Sequence, residues 1–211
     1  MPSEKLNSAT AFCRICFKKF TRSTVKTLLY KNNHVCPSCY AEMGAKFTRF
    51  SHFHTEFTAI FPYNQKIQTM IYQFKGCGDI EMGECFLEYV LPLLKIRYRN
   101  YVLIGAPSAA SHNQKRGYNH VEFIFSKIGI PFIDALEKIG ERKQTDCTVN
   151  ERKEVGQFIR WKNGVSIKGK NVLFVDDVFT TGSTAKACLT LIYKHHPAKV
   201  RGLVLAKTEK T

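Results

Sequence analysis

The chain has no apolar run approaching ~18 residues, so no helix able to cross a bilayer is expected. Its first dozen residues, MPSEKLNSATAF, lack the apolar stretch of a secretory signal. Together the two absences predict a cytoplasmic protein. No GxxxxGK[ST] loop occurs, which argues against a nucleotide hydrolase of that class. There is no internal repeat, so a solenoid is not expected, and no low-complexity tract. Acidic residues are scarce: 17 Asp and Glu stand against 32 Lys and Arg, for a net charge of +15. Such an excess draws a protein toward nucleic acid, nucleotides or an anionic membrane face. It is uneven, since residues 1–50 hold nine basic and two acidic residues and residues 51–211 hold 23 and 15.

What is present fits an ordinary globular protein. The 211 residues, 44% hydrophobic and 23% charged, suffice for one α/β domain with its own core plus a small module. Eight cysteines in a reducing compartment do not suggest disulfides. Four of them form two CxxC pairs, Cys13/Cys16 and Cys36/Cys39, with 19 residues between the pairs. Two thiolates on each of two tight turns can close a tetrahedron, the spacing of a structural Zn²⁺ ribbon or knuckle. Cys77, Cys85, Cys147 and Cys188 have no ligand spacing and read as small apolar residues.

The expected organisation is a four-cysteine module at 1–50, a linker at 51–62 and an α/β domain at 63–211. His52 and His54 fall in the linker and read as solvated, because four thiolates already complete a zinc site. Within the module, aromatic and basic residues alternate: Phe12, Arg14, Phe17, Lys18, Lys19, Phe20 and Arg22. Single-stranded nucleic acid is bound by stacked rings and cations, which nominates Arg14, Lys18, Lys19 and Arg22. Equally, so small a module needs aromatics for its own core.

From Tyr63 the pattern is α/β. Ile67–Phe74 and Ile80–Ile96 have helical apolar spacing, and a helix should follow Asn119 through Val121, Ile124 and Phe125. Buried strands are expected at Tyr101–Gly105, Ile130–Ile133, Val172–Val175 and Val200–Ala206, with a helix over Ser183–His195. Residues 140–157 are polar and weakly patterned and read as a long mobile loop. Strands alternating with helices predict a central parallel sheet with helices on both faces.

The strongest motif is Val172-Leu-Phe-Val-Asp-Asp-Val-Phe-Thr-Thr-Gly-Ser-Thr184. An apolar strand delivers Asp176 and Asp177 to its carboxyl end, where open α/β sheets bind ligands. Thr180, Thr181, Gly182, Ser183 and Thr184 then open a helix, whose backbone N–H groups and partial positive charge suit a phosphate. Carboxylates for hydroxyls beside a phosphate cradle match a sugar phosphate.

The motif resembles the site for 5-phosphoribosyl 1-pyrophosphate (PRPP) in type I phosphoribosyltransferases. With the two CxxC pairs, Lys75-Gly-Cys-Gly-Asp79 and Arg116-Gly-Tyr-Asn119, most of the chain resembles the ComF family of competence-associated proteins. Gln144 and Arg152 match the family's Gln and Arg in a mobile loop. The resemblance implies a type I phosphoribosyltransferase fold with Asp176 and Asp177 on the ribose hydroxyls and Thr180 to Thr184 on the 5′-phosphate. It further implies Lys115 and Arg116 on pyrophosphate, Arg116 with the two aspartates as catalytic groups in an active transferase, and Mg²⁺ arriving with PRPP. It implies a role in DNA uptake during natural transformation, with single-stranded DNA as partner. One alternative is an active transferase joining ribose 5-phosphate to a base or other nucleophile; a second is that the zinc module is a docking surface for a competence helicase. The family's basic residues before Arg-Gly-Phe-Asn are His112 and Gln114 here, and its Gln after the Asn is His120. Fewer permanent charges neutralise a leaving pyrophosphate less well, which favours binding over turnover.

Overall fold

The computed structural model describes residues 10–21, 34–108, 114, 117–139 and 159–209. In chain order these form β1 (Thr10–Phe12), β2 (Lys19–Thr21), α1 (Pro37–Met43), β3 (Thr48–His52), β4 (Thr55–Pro62), α2 (Gln65–Gly76), α3 (Ile80–Cys85), α4 (Leu91–Tyr98) and β5 (Val102–Gly105). There follow α5 (His120–Phe125), β6 (Leu136–Lys138), β7 (Ile159–Trp161), β8 (Asn171–Phe179), α6 (Ser183–Lys194) and β9 (Lys199–Lys207).

The central sheet has the order β3-β4-β9-β8-β5. Strands β4, β9, β8 and β5 are mutually parallel, and β3 closes one edge antiparallel to β4. Alternate residues of β8 enter two different cores: Leu173 and Val175 on one face, Val172 and Phe174 on the other. A parallel sheet covered on both faces requires this near-continuous apolar run. The first core takes α2, α3 and α5 through Phe74, Met82 and Ile124. The second takes one stripe of α6, Ala185, Cys188, Leu189 and Ile192.

Several expectations are corrected. Residues 51–62 are not a linker, because β3 and β4 form a hairpin in the main sheet, with β4 buried between β3 and β9. The sheet therefore begins before residue 50, and the cysteine module is not a separate bead: Cys13, Val35, Cys36, Cys39 and Met43 share the core of Phe74 and Leu173. The helix expected over Ile80–Ile96 is two helices, α3 and α4, the second started by Pro92, whose missing N–H is harmless only in a first turn. Ile130–Ile133 forms no full strand, although the Leu103–Phe132 bridge extends the free edge of β5. The expected loop at 140–157 lies outside the described residues.

Candidate functional site

Strand β8 ends among ligand-type groups on both faces of the sheet. Successive strand residues point to opposite faces, so Asp176 and Asp177 divide. Asp177 is buried at 8% exposure on the side of α2 and α5. Its Oδ2 is ion-paired with Lys75 Nζ and lies 3.6 Å from His120 Nε2. Burial alone would raise this carboxyl, but His120 and Lys75 outweigh it and hold Asp177 well below the usual carboxylate range. Asp176 accepts the Asp177 backbone N–H at 2.8 Å. Burial and then the charge of Asp177 push its carboxyl well above the usual range. Cys188, on the buried stripe of α6, is raised by its own burial and then by Asp176. The pair thus presents one firmly charged carboxylate and one that retains its proton readily.

The short motifs around Asp177 have local physical roles. In Lys75-Gly-Cys-Gly-Asp79, Lys75 sits in the last turn of α2, Gly78 adopts φ 73°, and Asp79 caps α3 by accepting the Met82 N–H at 3.2 Å. In Gly117-Tyr-Asn119, Asn119 caps α5, its Oδ1 accepting the N–H groups of Val121 and Glu122 at 3.1 and 3.3 Å. Tyr118 donates to the Phe74 carbonyl at 2.8 Å. Tyr118 and Asn119 therefore tie α2 and α5 together so that Lys75 and His120 meet at Asp177. His120 also lies 3.1 Å, through Nδ1, from Ser108 Oγ in the turn after β5. Neither Lys75 nor His120 was nominated by sequence. Their partner is 102 and 57 residues away along the chain, and only the fold brings them together.

The expected phosphate loop lies between β8 and α6. Thr180, Thr181 and Ser183 are exposed and Thr184 is half-buried. Gly182 occupies the N-cap of α6 at φ 79° and offers no side-chain acceptor. The hydroxyls of Thr181 and Ser183 pair at 2.9 Å, and the Ser183 N–H reaches Thr181 Oγ1 only at 3.4 Å. A helix of 12 residues whose cap supplies no acceptor leaves its first-turn donors facing outward, which suits an anion.

The four nominated cysteines come together: the Sγ atoms of Cys13, Cys16, Cys36 and Cys39 all lie within 4.8 Å of one another. Cys16 and Cys36 are 3.9 Å apart, close to the roughly 3.8 Å edge of a tetrahedron with Zn–S of about 2.3 Å. Backbone N–H groups of Cys36 and Cys39 point at Cys13 Sγ and Cys36 Sγ at 3.3 and 3.4 Å, as for thiolate ligands. Burial raises the Cys13 thiol, yet amides of Cys36, Cys16 and Ile15 bring it down to about 7. The cluster can hold a metal ion, and its donor set fits zinc. It docks firmly on the domain: Glu88 accepts the His34 N–H at 2.8 Å and the Val35 N–H at 3.4 Å, and Tyr89 donates to the Val35 carbonyl at 2.7 Å. Tyr40 stacks on Tyr89 with ring centroids 4.1 Å apart.

Of the nucleic-acid candidates, Lys18 and Lys19 are exposed, whereas Arg14 lies 3.5 Å from Glu81 and 3.6 Å from Glu84. Arg22, Lys115 and Arg116 lie outside the described residues. No helix among the described residues is long and apolar enough to cross a membrane.

The parallel sheet, the carboxylate pair at the end of β8 and the hydroxyl-lined turn into α6 agree with the type I phosphoribosyltransferase fold that the sequence motif predicts. No family model matches the chain. Two proteins, each named Competence protein ComFC, are similar to it. That of Streptococcus pneumoniae (strain ATCC BAA-255 / R6) is 34% identical over 128 residues, 60% of this chain and 56% of that protein. That of Bacillus subtilis (strain 168) is 23% identical over 209 residues, 92% of this chain and 85% of that protein. Both likenesses are to competence proteins of one name, and the chain spans little more than half the length of the first of them. Similar solved structures include a hypoxanthine phosphoribosyltransferase from Staphylococcus aureus at 17% identity and TM-score 0.39, covering 61% of this chain and 64% of that one. Another is a hypoxanthine-guanine phosphoribosyltransferase from Bacillus anthracis at 17% identity and TM-score 0.38, covering 59% and 69%. Likenesses that distant decide nothing about ligand or activity.

Proposed function

We propose that this chain is a ComF-type competence protein that binds PRPP or a related ribose 5-phosphate at the β8–α6 crest, is stabilised by structural zinc, and contacts single-stranded DNA during DNA uptake. The observation that carries the sugar-phosphate reading is the pairing of Asp177, held charged by Lys75 and His120, with the uncapped start of α6. Asp176 and Asp177 would hold the ribose 2′ and 3′ hydroxyls, and Thr180 to Thr184 the 5′-phosphate. Lys115 and Arg116 would face pyrophosphate. Mg²⁺ would arrive with the ligand, keeping several waters, and supply charge neutralisation at the pyrophosphate. Saturable PRPP binding that depends on both aspartates is the expected result.

The DNA-contact reading rests on exposed rings. Phe12 and Phe17 are 69% and 77% exposed beside Lys18 and Lys19, so these two rings do not serve as the module's core. Bases can stack on them while the lysines meet phosphates. Affinity for single-stranded oligonucleotides should fall with salt at a log–log slope of about −0.7 per neutralised phosphate. Replacing Lys18 and Lys19 with Ala should reduce that slope by roughly 1.4 in magnitude if each meets one phosphate. An unchanged slope, measured by fluorescence anisotropy at several salt concentrations, would remove this surface from consideration.

A further inference from the structure

His52, expected in a linker, instead reaches the phosphate loop 130 residues away. Its Nε2 lies 3.1 Å from the Gly182 carbonyl oxygen. A carbonyl oxygen only accepts, so Nε2 carries a proton and donates. The imidazole stands edge-on to Phe179, with ring centroids 5.1 Å apart. A Cβ added to Gly182 would fall 2.6 Å from two imidazole atoms and 2.6 Å from the Phe179 ring. Glycine is therefore required there for the close approach of His52 as well as for φ 79°.

The hairpin that delivers His52 is pinned to α6 at a second point. Thr55 Oγ1 and Tyr193 Oη are 2.7 Å apart, and the Tyr193 hydroxyl donates to the His54 carbonyl at 3.3 Å. Between these anchors Phe53 and His54 adopt φ 45° and 56°, two successive non-glycine residues in the left-handed region. Such residues are strained and persist where their surroundings fix them, a pattern that clusters at functional sites.

We propose that His52 is a positioning residue for the 5′-phosphate. In a trans peptide the C=O and N–H point in opposite directions. By holding the Gly182 carbonyl toward the hairpin, His52 turns the Ser183 N–H the other way, toward Thr181 Oγ1, which it meets at 3.4 Å. The same carbonyl accepts the Lys186 N–H at 2.8 Å, so His52 adds a second donor from outside α6 to the bond that the helix itself makes to its first peptide plane. The edge hairpin is thereby the outer wall of the phosphate site. This inference rests on the sugar-phosphate reading above.

Ribose 5-phosphate is titrated into the full-length, zinc-loaded protein and into His52→Ala and His52→Gln, with the Ser183 amide followed by ¹⁵N NMR. Loss of one oriented donor is expected to weaken ribose 5-phosphate roughly 10-fold in His52→Ala. The Gln amide, which also donates at similar reach, should restore most of that loss and return the Ser183 resonance toward its wild-type position. Affinity in folded His52→Ala equal to wild type would overturn the proposal, as would a wild-type Ser183 amide unmoved by saturating ligand. If His52→Ala does not fold, a folded His52→Gln that binds 10-fold more weakly than wild type overturns it. Wild-type protein that gives no titration removes the sugar-phosphate reading itself, and this inference with it.

Discussion

Replacing Asp177 with Ala is expected to destabilise the ligand-free protein by about 3 kcal/mol, the low end of the range for breaking a buried ion pair. The cost comes from what remains: Lys75 and His120 would face each other without the carboxylate between them. The low end applies because the Lys75 side chain is a third exposed and solvent screens part of its charge. The effect carries a pH signature. Asp177 is held below the usual carboxylate range, so its contribution is complete above that range and is lost as pH falls from it through the carboxyl's own lower value. Asp176 is raised, so the folded chain favours its proton, and the cost of ionising it appears as pH rises above the usual range toward its own value. Asp177→Asn should therefore flatten the acid limb of a stability–pH profile measured by urea unfolding. Asp176→Asn should raise stability at neutral pH while weakening ligand binding. An unchanged acid limb in Asp177→Asn would show that the Lys75–Asp177–His120 cluster contributes nothing to folding.

Metal removal is the second large effect. Four sulfurs within 4.8 Å repel one another as thiolates, and a divalent cation relieves that repulsion. Structural zinc contributes about 10–16 kcal/mol of apparent binding energy in small modules. Metal analysis should find about one zinc per chain, and a strong chelator or Cys36→Ser should unfold residues 10–21 and 34–43. Cys36 is the sensitive choice, because its Sγ also accepts the Cys39 N–H as the cap of α1. The loss should spread beyond the module, since Val35 and Met43 belong to the same core as Phe74 and Leu173. Hydrogen exchange is the readout: protection should fall around Val35–Met43 and then around Glu88 and Tyr89. Metal-free protein with exchange identical to the zinc-loaded form would refute a structural zinc site.

Features encoded locally were legible in the sequence. The CxxC pairs, the Val172–Val175 strand with its two aspartates, and the helices after Asn119 and Gly182 each depend on residues within one turn or strand. The β3–β4 hairpin was not legible because its turn lacks the Asn-Gly or Gly signal that a tight hairpin normally shows. Phe53 and His54 adopt positive φ without glycine, held by Thr55 and Tyr193 contacts that the sequence does not reveal. For the same reason the sequence leaves His52 solvated, whereas its ring touches the turn between β8 and α6. Lys75 and His120 were visible within motifs, but which group they serve depends on α2 and α5 packing over β8. The even balance between core and surface for the module's aromatics was decided only by exposure, which sets Phe12 and Phe17 outside and leaves Phe20 partly buried.

The central claim, a live sugar-phosphate site at the end of β8, is tested most directly by calorimetric titration of PRPP with Mg²⁺ into zinc-loaded protein. Wild type is compared with the shape-conserving double variant Asp176→Asn/Asp177→Asn, whose folding is checked by its melting curve. The account predicts saturable heat in wild type, competition by ribose 5-phosphate, and loss of binding in the folded double variant. No heat in wild type, or equal binding by the double variant, would contradict it.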